Sequence, residues 1–579
     1  VAQSFRLAQR WLLHDFIPSL RQRAPFPTKA APPQKSAPTE HRPPAGFSKG
    51  AAAPSPLWII GRILKRIFFH KSPAVLIFFP EKGISMTKAG TAWLIERFAI
   101  QARPPFHSSF IGPKMLRREK ADGTIEEHYI RSYDPGDRVL DHLVFALKYD
   151  ALDLDVFRKV FRHIPPREIA DFVAETPSGK FARQIGFWYE ELTGQEVPLD
   201  VRITGNYEPL LNPDFYATAP KVVKNPRWRI DNNSGGSGKF LPLIRRTPHI
   251  RAAEETDWPA MIAEALRAFS PEVLHRALSF LYLKETKSSF AIEREEPGTS
   301  RTEKFVAILH RSGLGENPLI EEDLVLLQNA IVDPRYRENG FRARQNYVGE
   351  TTPYFQEVVH AVGAPPESLR NLMDGLAAYF HSSEGMSPVL RAVAISFSFV
   401  FIHPFEDGNG RLHRYLIHDL LARARIGGEG VLLPVSAEIL LDLQKYDACL
   451  EDFSKPLLAA AEYSLDKDGV LSVHNPADID GFYRYPDLTS QCEFLVRILE
   501  KTIRHAIPQE ILFLQKYDRA RSAIAEIVDM PDQKREKLLM RLYKNGGKLA
   551  RKRREGEFSE LKSREIEDIE SAFREAFSD

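Results

Sequence analysis

The segment His403-Pro404-Phe405-Glu406-Asp407-Gly408-Asn409-Gly410-Arg411-Leu412-His413-Arg414 leaves this chain few ways to fold. One apolar run, residues 389–402, precedes it, and a second, residues 415–421, follows. Two such runs joined across Gly-Asn-Gly read as helix, tight loop, helix. In that arrangement the free backbone N–H groups at the start of the second helix point outward, and they make a ready anion site. Gly408 and Gly410 let the backbone take positive φ and approach a ligand closely. Arg411 and Arg414 lie three apart, so both project near one helix end and can clamp phosphate oxygens. Asp407 is a hard oxygen ligand suited to Mg²⁺, which usually binds through one or two carboxylates plus substrate phosphates. His403 is the best-placed side chain able to take a proton near neutral pH. The bland alternative is a simple connector with His403 as a capping residue, but a connector needs neither the aspartate nor both arginines.

At these positions the chain resembles the Fic family, whose signature reads His-x-Phe-x-(Asp/Glu)-Gly-Asn-Gly-Arg-x-x-Arg, and every fixed position is met. The resemblance implies a mainly α fold, a helical core with a short β-hairpin flap. It implies transfer of AMP from ATP to a Ser, Thr or Tyr hydroxyl of a protein, with Mg²⁺ as cofactor. His403 is then the catalytic base and Asp407 holds the metal. Gly408, Asn409, Gly410, Arg411 and Arg414 hold the nucleotide phosphates, Phe405 buries its ring to fix the loop, and Tyr446 lies near the base. Tyr347, Val348 and Gly349 fall where the family carries its flap, which aligns the target segment by strand addition; the alternative is an ordinary surface hairpin. Ser289 and Glu293 match the family's inhibitory helix, (Ser/Thr)-x-x-x-Glu-(Gly/Asn), although Arg294 replaces the usual Gly or Asn. That resemblance implies autoinhibition through pairing of Glu293 with Arg414; the alternative is one charge in the solvated face 293–296. Family members also move UMP, phosphocholine or phosphate, and some remove AMP, so those remain rival activities.

Composition excludes other classes. The formal net charge of +2 over 579 residues gives no nucleic-acid-like excess for the whole molecule. Only Cys449 and Cys492 occur, without metal-ligand spacing around them, which fits a reducing cytoplasm better than a disulfide scaffold. Residues 74–79 form the longest apolar stretch near the N-terminus, far short of a membrane span, so no stable membrane insertion is expected.

The chain divides, by pattern, into four parts. Residues 1–85 are basic and Pro/Ala-rich, with Asp15, Glu40 and Glu81 their only acids and no Met before Met86. They read as a disordered extension or a mis-assigned start, ahead of a targeting segment; the piece 58–70 is basic and amphipathic enough to touch a membrane surface. Residues 86–250 read as a mixed, helix-rich domain, with helices predicted over 167–173 and 179–192. Within it, residues 232–239 look superficially phosphate-binding. Phe240 stands where a phosphate loop needs Ser or Thr, so a flexible loop is expected. Residues 256–470 form the Fic-like domain, with the inhibitory helix near 288–296. Asp257, Ser270 and the pair Ser300/Glu303 are expected to cap helices, and Pro366 to open another.

Residues 471–579 read as helical, with a basic stretch from Lys534 to the run Arg551-Lys552-Arg553-Arg554 and Gly546-Gly547 between helical pieces. A helix-turn-helix that binds DNA is one reading; a solvated basic face balanced by acids in 557–570 is the other. The expected partners are therefore ATP and a protein substrate, with self-modification, DNA and a homo-oligomer as further expectations. The rival from another class is a regulator with a DNA-binding C-terminal module and a sensing Fic core.

Overall fold

The computed structural model describes residues 86–354, 357–427 and 431–578. The expectations for residues 1–85, including the piece 58–70, lie outside the described residues. The protein is mainly helical, with a few short strands, and among the described residues no helix is long and apolar enough to cross a membrane.

The N-terminal part wraps helices around a small sheet. Strands β1 (Thr87–Ala89), β2 (His107–Gly112), β3 (Leu116–Glu119) and β4 (Ile125–Ile130) are ordered β1-β2-β4-β3, with β2 and β4 parallel and the other pairs antiparallel. Helices α1 (Gly90–Arg97), α2 (Val139–Tyr149), α3 (Leu154–Phe161), α4 (Pro166–Glu175) and α5 (Lys180–Thr193) follow. Pro166 opens α4 where a missing N–H costs nothing, and Gly194 closes α5 in the left-handed region. Trp188, Trp228, Phe157 and Leu143 are fully buried in the core of this part. Three short strands, β5 (Glu208–Pro209), β6 (Val223–Asn225) and β7 (Ile230–Asn232), follow α5.

The expected flexible loop at 232–239 is instead a pinned turn. The Asn233 side chain both accepts from and donates to the Leu211 backbone, and Gly238 N–H donates to Glu191. The Tyr485 hydroxyl donates to Gly238 O, and Phe240 is fully buried. Small polar residues read as a linker by composition. Here the glycines allow close packing: a Cβ at position 238 would overlap the Glu191 carbonyl.

Helices α6 (Pro248–Glu255), α7 (Trp258–Leu266) and α8 (Pro271–Ile292) begin at Thr247, Asp257 and Ser270, whose side chains accept from their first turns. The next helix, α9 (Thr299–Leu309), corrects the Ser300/Glu303 expectation: Gly298 is its N-cap and Ser300 already lies inside it. Helix α10 (Glu321–Ile331), the hairpin β8 (Tyr347–Thr351) and β9 (Glu357–Val362), and α11 (Pro366–Ser382) lead to the centre. There α12 (Pro388–Ile402) is buried around nearly its whole circumference, as a helix apolar on every side must be. It packs along α13 (Asn409–Arg423). Helices α14 (Val435–Leu441) and α15 (Leu443–Ala460), the hairpin β10 (Tyr463–Leu465) and β11 (Leu471–Val473), and helices α16 (Pro476–Arg484) and α17 (Thr489–Lys501) come next. Helices α15 to α17 add side chains to the core around α12.

The C-terminal helices are α18 (Ile507–Ile527), α19 (Asp532–Lys544), α20 (Arg551–Arg554) and α21 (Ser563–Phe577). They share an apolar cluster of Leu538, Leu539, Leu542, Phe558, Ile569 and Phe573. Much of the basic stretch is answered by acids of the same region. Arg551 pairs with Glu555, Arg541 and Arg553 with Glu557, Arg554 with Glu570, and Lys534 with Glu560.

Candidate active site

The segment 403–414 turns sharply between α12 and α13. His403 caps α12 in the left-handed region at φ 56°, an unusual conformation for a non-glycine residue. Its Nδ1 lies 2.9 Å from Val400 O. A carbonyl only accepts, so Nδ1 carries the proton and Nε2 is left with its lone pair. Burial drives the histidine down to about 4, with the Arg342 cation adding to it, although the Val400 bond works the other way. The ring is therefore a neutral acceptor at neutral pH.

Helix α13 begins at Asn409, and Gly408 caps it at φ 93°. The loop is rigid for a reason sequence reasoning assigned differently. The Asn409 side chain clamps Phe405, accepting from its N–H at 3.0 Å and donating to its carbonyl at 2.7 Å. One N–H of its amide and its side-chain oxygen are thus engaged by Phe405, and 1 % of its surface is exposed. Its backbone N–H lies at the helix start. Phe405 is fully buried and meets Phe341 edge to face. Asp407 Oδ1 accepts from Gly408 N–H and from Arg411 Nη2. Glu338 Oε1 accepts from Glu406 N–H, and burial raises its carboxyl to about 7.

Both arginines are buried, and both are engaged by the stretch 289–295. Arg414 donates from Nε to Ser289 Oγ at 2.9 Å, and from Nη2 to Ser289 O at 2.8 Å and Glu293 Oε1 at 2.7 Å. Burial pushes the Glu293 carboxyl up, but Arg414 and Arg411 outweigh it and hold it below the usual carboxylate range. Arg411 donates to Glu295 Oε2 at 3.1 Å and stacks its guanidinium 5.2 Å from the Phe290 ring centre. Arg414 also meets the Tyr446 hydroxyl, and Arg411 Nη1 donates to Ile331 O as well. A Cβ at Gly410 would overlap the Glu293 carboxylate, so the glycine is what lets the acid lie over the helix start.

The stretch reaches the arginines through helix periodicity. Glu285 and Ser289 on α8 and its C-cap Glu293 are spaced by four and meet His418 and Arg414, spaced by four on α13. Glu285 and His418 are fully buried and 2.7 Å apart, and Glu285 also accepts from the Ser436 N–H and hydroxyl. The end of α8 is one at which Gly or Asn would be the easier residue after the glutamate. Arg294 N–H bonds Ala291 O, Glu295 N–H bonds Phe290 O, and Arg294 takes φ 58°. This is a Schellman ending with arginine in the left-handed position, and it delivers Glu295 to Arg411.

Tyr446 does not present a face to a nucleotide base. It is 4 % exposed, packed between His413 and Phe494, with its hydroxyl beside Arg414. An aromatic residue on a helix with an apolar face is buried by that face, and here it backs the arginine. Tyr347, Val348 and Gly349 lie on β8, in a two-stranded antiparallel hairpin with a register shift between Val348 and Gly349. Val348 is 44 % exposed. Sequence reasoning did not single out Glu338, Arg342, Asn346 or Glu295. The first three act on backbone distant in sequence, which no local pattern signals; Glu295 was legible only once the helix ending was known.

Mg²⁺ fits this donor set in one way. No cluster of three or more His, Cys, Asp or Glu able to hold a metal occurs among the described residues. Asp407 would be the protein's ligand, the remaining positions falling to phosphates and water.

Residues 318–421 match the family model described as the Fic/DOC family. Over 94 residues the chain is 37 % identical to protein adenylyltransferase fic-1 of Caenorhabditis briggsae, covering 16 % of this chain and 17 % of that protein. Over 96 residues it is 38 % identical to protein adenylyltransferase Fic of Drosophila ananassae, with 16 % and 17 % covered. The chain thus spans about a sixth of the length of the curated relatives it matches. Among solved structures, a Fic family protein from Desulfovibrio desulfuricans is similar over 53 % of this chain and 90 % of its own, at 20 % identity and TM-score 0.33. A Fic domain containing signaling protein from Bacteroides thetaiotaomicron is similar over 45 % and 97 %, at 20 % identity and TM-score 0.29. Taken with the complete signature at 403–414, the match means that this chain carries a domain of the Fic/DOC family.

Proposed function

We propose that this protein is an adenylyltransferase that moves AMP from ATP to a hydroxyl of a protein and is held inactive by its own stretch 289–295. One observation carries the reading: a neutral histidine with its Nε2 lone pair available, beside a glycine-opened helix start, with two buried arginines held by carboxylates.

In the released state the triphosphate lies on the N–H groups of Asn409, Gly410 and Arg411, where the helix start favours negative charge. Arg411 and Arg414 orient the β and γ phosphates, a positioning effect. His403 Nε2 takes the proton of the target hydroxyl. That oxygen forms a bond to the α-phosphorus, the bond to the pyrophosphate oxygen breaks, and pyrophosphate leaves. Backbone N–H groups aimed at the loop meet the charge that develops on the phosphate oxygens. Mg²⁺, held through Asp407, would neutralise phosphate charge when bound.

In the closed state Glu293 occupies the Arg414 donors that the γ-phosphate needs. Glu295 engages Arg411 similarly, but it is about a third exposed and shared with Arg301. Glu293→Gly is therefore expected to raise AMP self-modification, followed by mass spectrometry with Mg²⁺ and ATP, by roughly tenfold or more. Adding Glu295→Gln should raise it a further two- to fivefold or so, the range of an exposed ion pair. Unchanged transfer in Glu293→Gly would refute the autoinhibition. Glu293→Gly with Arg414→Ala should be inactive.

A further inference from the structure

We infer that Arg342, assisted by Asn346, is the positioning residue that holds His403 in its reactive conformation and ties it to the root of the hairpin β8–β9. The inference rests on the adenylyltransferase reading for its kinetic readout only.

His403 sits at φ 56°, a conformation that is unfavourable for an L-residue unless its surroundings over-determine it. The carbonyls around it have just left α12, so they have no intrahelical partners. Arg342 bonds both of them, with Ala364 N–H also donating to Ile402 O at 3.0 Å. Its Nε donates to His403 O at 2.7 Å, and its Nη2 to Ala364 O at 2.6 Å and Ile402 O at 3.3 Å. Its Nη1 donates to Arg344 O at 2.6 Å, and its own N–H donates to Pro404 O at 2.9 Å. One guanidinium thus binds the carbonyls of His403 and of the residue before it, while its backbone binds the residue after. The side chain is 5 % exposed, and its cation sits at the C-terminal end of a helix, the favoured place for positive charge.

Asn346 completes the grip four residues later. Its Nδ2 donates to His403 O at 3.3 Å and to Phe405 O at 2.8 Å. Its carbonyl accepts from Gly363 N–H at 3.1 Å, immediately after β9 ends. Asn346 directly precedes β8, so the base of the hairpin and the carbonyl of the histidine share donors. Gly363 leaves the space: a Cβ there would overlap Asn346 Oδ1 and press on Arg342 Nη2. Lysine could supply the charge of Arg342 but not the planar fork that reaches several carbonyls at once. The phosphate cradle is built separately, from the start of α13. Loss of the grip is therefore expected to turn the histidine without emptying the cradle.

The test compares Glu293→Gly with its Arg342→Lys, Arg342→Gln and Gly363→Ala derivatives; the last keeps Arg342 and its charge. Two readouts are taken. One is kcat for AMP transfer against the Kd for ATP. The other is the ¹⁵N signal of the His403 ring in histidine-labelled protein, assigned by its loss in His403→Gln. All three derivatives should lose about tenfold or more in kcat, with the Kd for ATP within about twofold, and the Nδ1–H tautomer signature should disappear. If the parent transfers AMP and the derivatives match it within about twofold, the inference is overturned. It is also overturned if ATP affinity falls in step with kcat, or if the ring signals do not move. If the parent itself transfers nothing, the activity reading has failed. The ring signals then decide the role of Arg342 by themselves.

Discussion

His403 shows how one residue's environment sets its chemistry. A histidine in water is half-charged near pH 6.5, whereas burial takes this one down to about 4. It can therefore act as a base over the whole neutral range. The transfer rate of Glu293→Gly should be flat between pH 6 and 8, with no acid limb near 6.5. A limb there in initial rates at saturating ATP would mean that the histidine titrates normally. Arg294 is the converse case, a residue poorly suited to its place. In the left-handed position of the α8 ending it makes only a 4.0 Å contact with Glu350 and is 88 % exposed. Arg294→Gly should therefore stabilise this ending by about 1 kcal/mol. The expected outcome is a rise of roughly 1–2 °C in melting temperature and lower, not higher, basal self-modification. Higher basal transfer would mean that Arg294 helps to hold the latch.

At the scale of elements, the legible features were local ones. Asp257, Ser270 and Pro366 announced helix starts because caps and N1 prolines act within one turn. The apolar run before His403 is the buried helix it resembled. The pairing of Ser289 and Glu293 with Arg414 was legible only through the resemblance to the inhibitory helix of the Fic family; the four-residue spacing is how the structure makes it. Ser300 misled because the box pattern is short and Gly298 was free to start the helix one residue before Thr299. The turn 232–239 misled because its partners, Leu211, Glu191 and Tyr485, lie far along the chain. The clamp that Asn409 puts on Phe405 is not legible in the signature, because an amide beside an anion loop suits a clamp as well as a phosphate ligand. Arg342 carried no signal at all, since its partners are backbone carbonyls and any sequence supplies those.

Across the whole molecule, buried titratable groups pull stability in opposite directions. His403 and His413 sit at about 4 and about 3, driven down by burial. The unfolded chain protonates them first as pH falls below about 6.5, so they remove stability between there and pH 4. Asp150 is raised by burial to about 7, as are Glu338 and Glu536. Their folded forms take protons before the unfolded chain does, so they add stability as pH falls from 7 toward 4. Single variants separate the two. Between pH 7.5 and 5, the melting temperature of wild type relative to His413→Gln should fall, and relative to Asp150→Asn it should rise. The same trend in both comparisons would refute the assignment. The C-terminal cations already answered by Glu555, Glu557, Glu560 and Glu570 leave little field for a polyanion, so no retention on duplex DNA is expected at physiological salt.

If His403 carries AMP transfer on a loop closed by Glu293, removing the histidine from the released protein must abolish transfer. The most direct test incubates Glu293→Gly and Glu293→Gly/His403→Ala with Mg²⁺ and ATP, then takes intact masses and the Kd for ATP of each. An AMP adduct is expected on the first protein and none on the second, with ATP affinities alike within a few-fold because the phosphate cradle does not use the histidine. An adduct of similar yield on both proteins would contradict it.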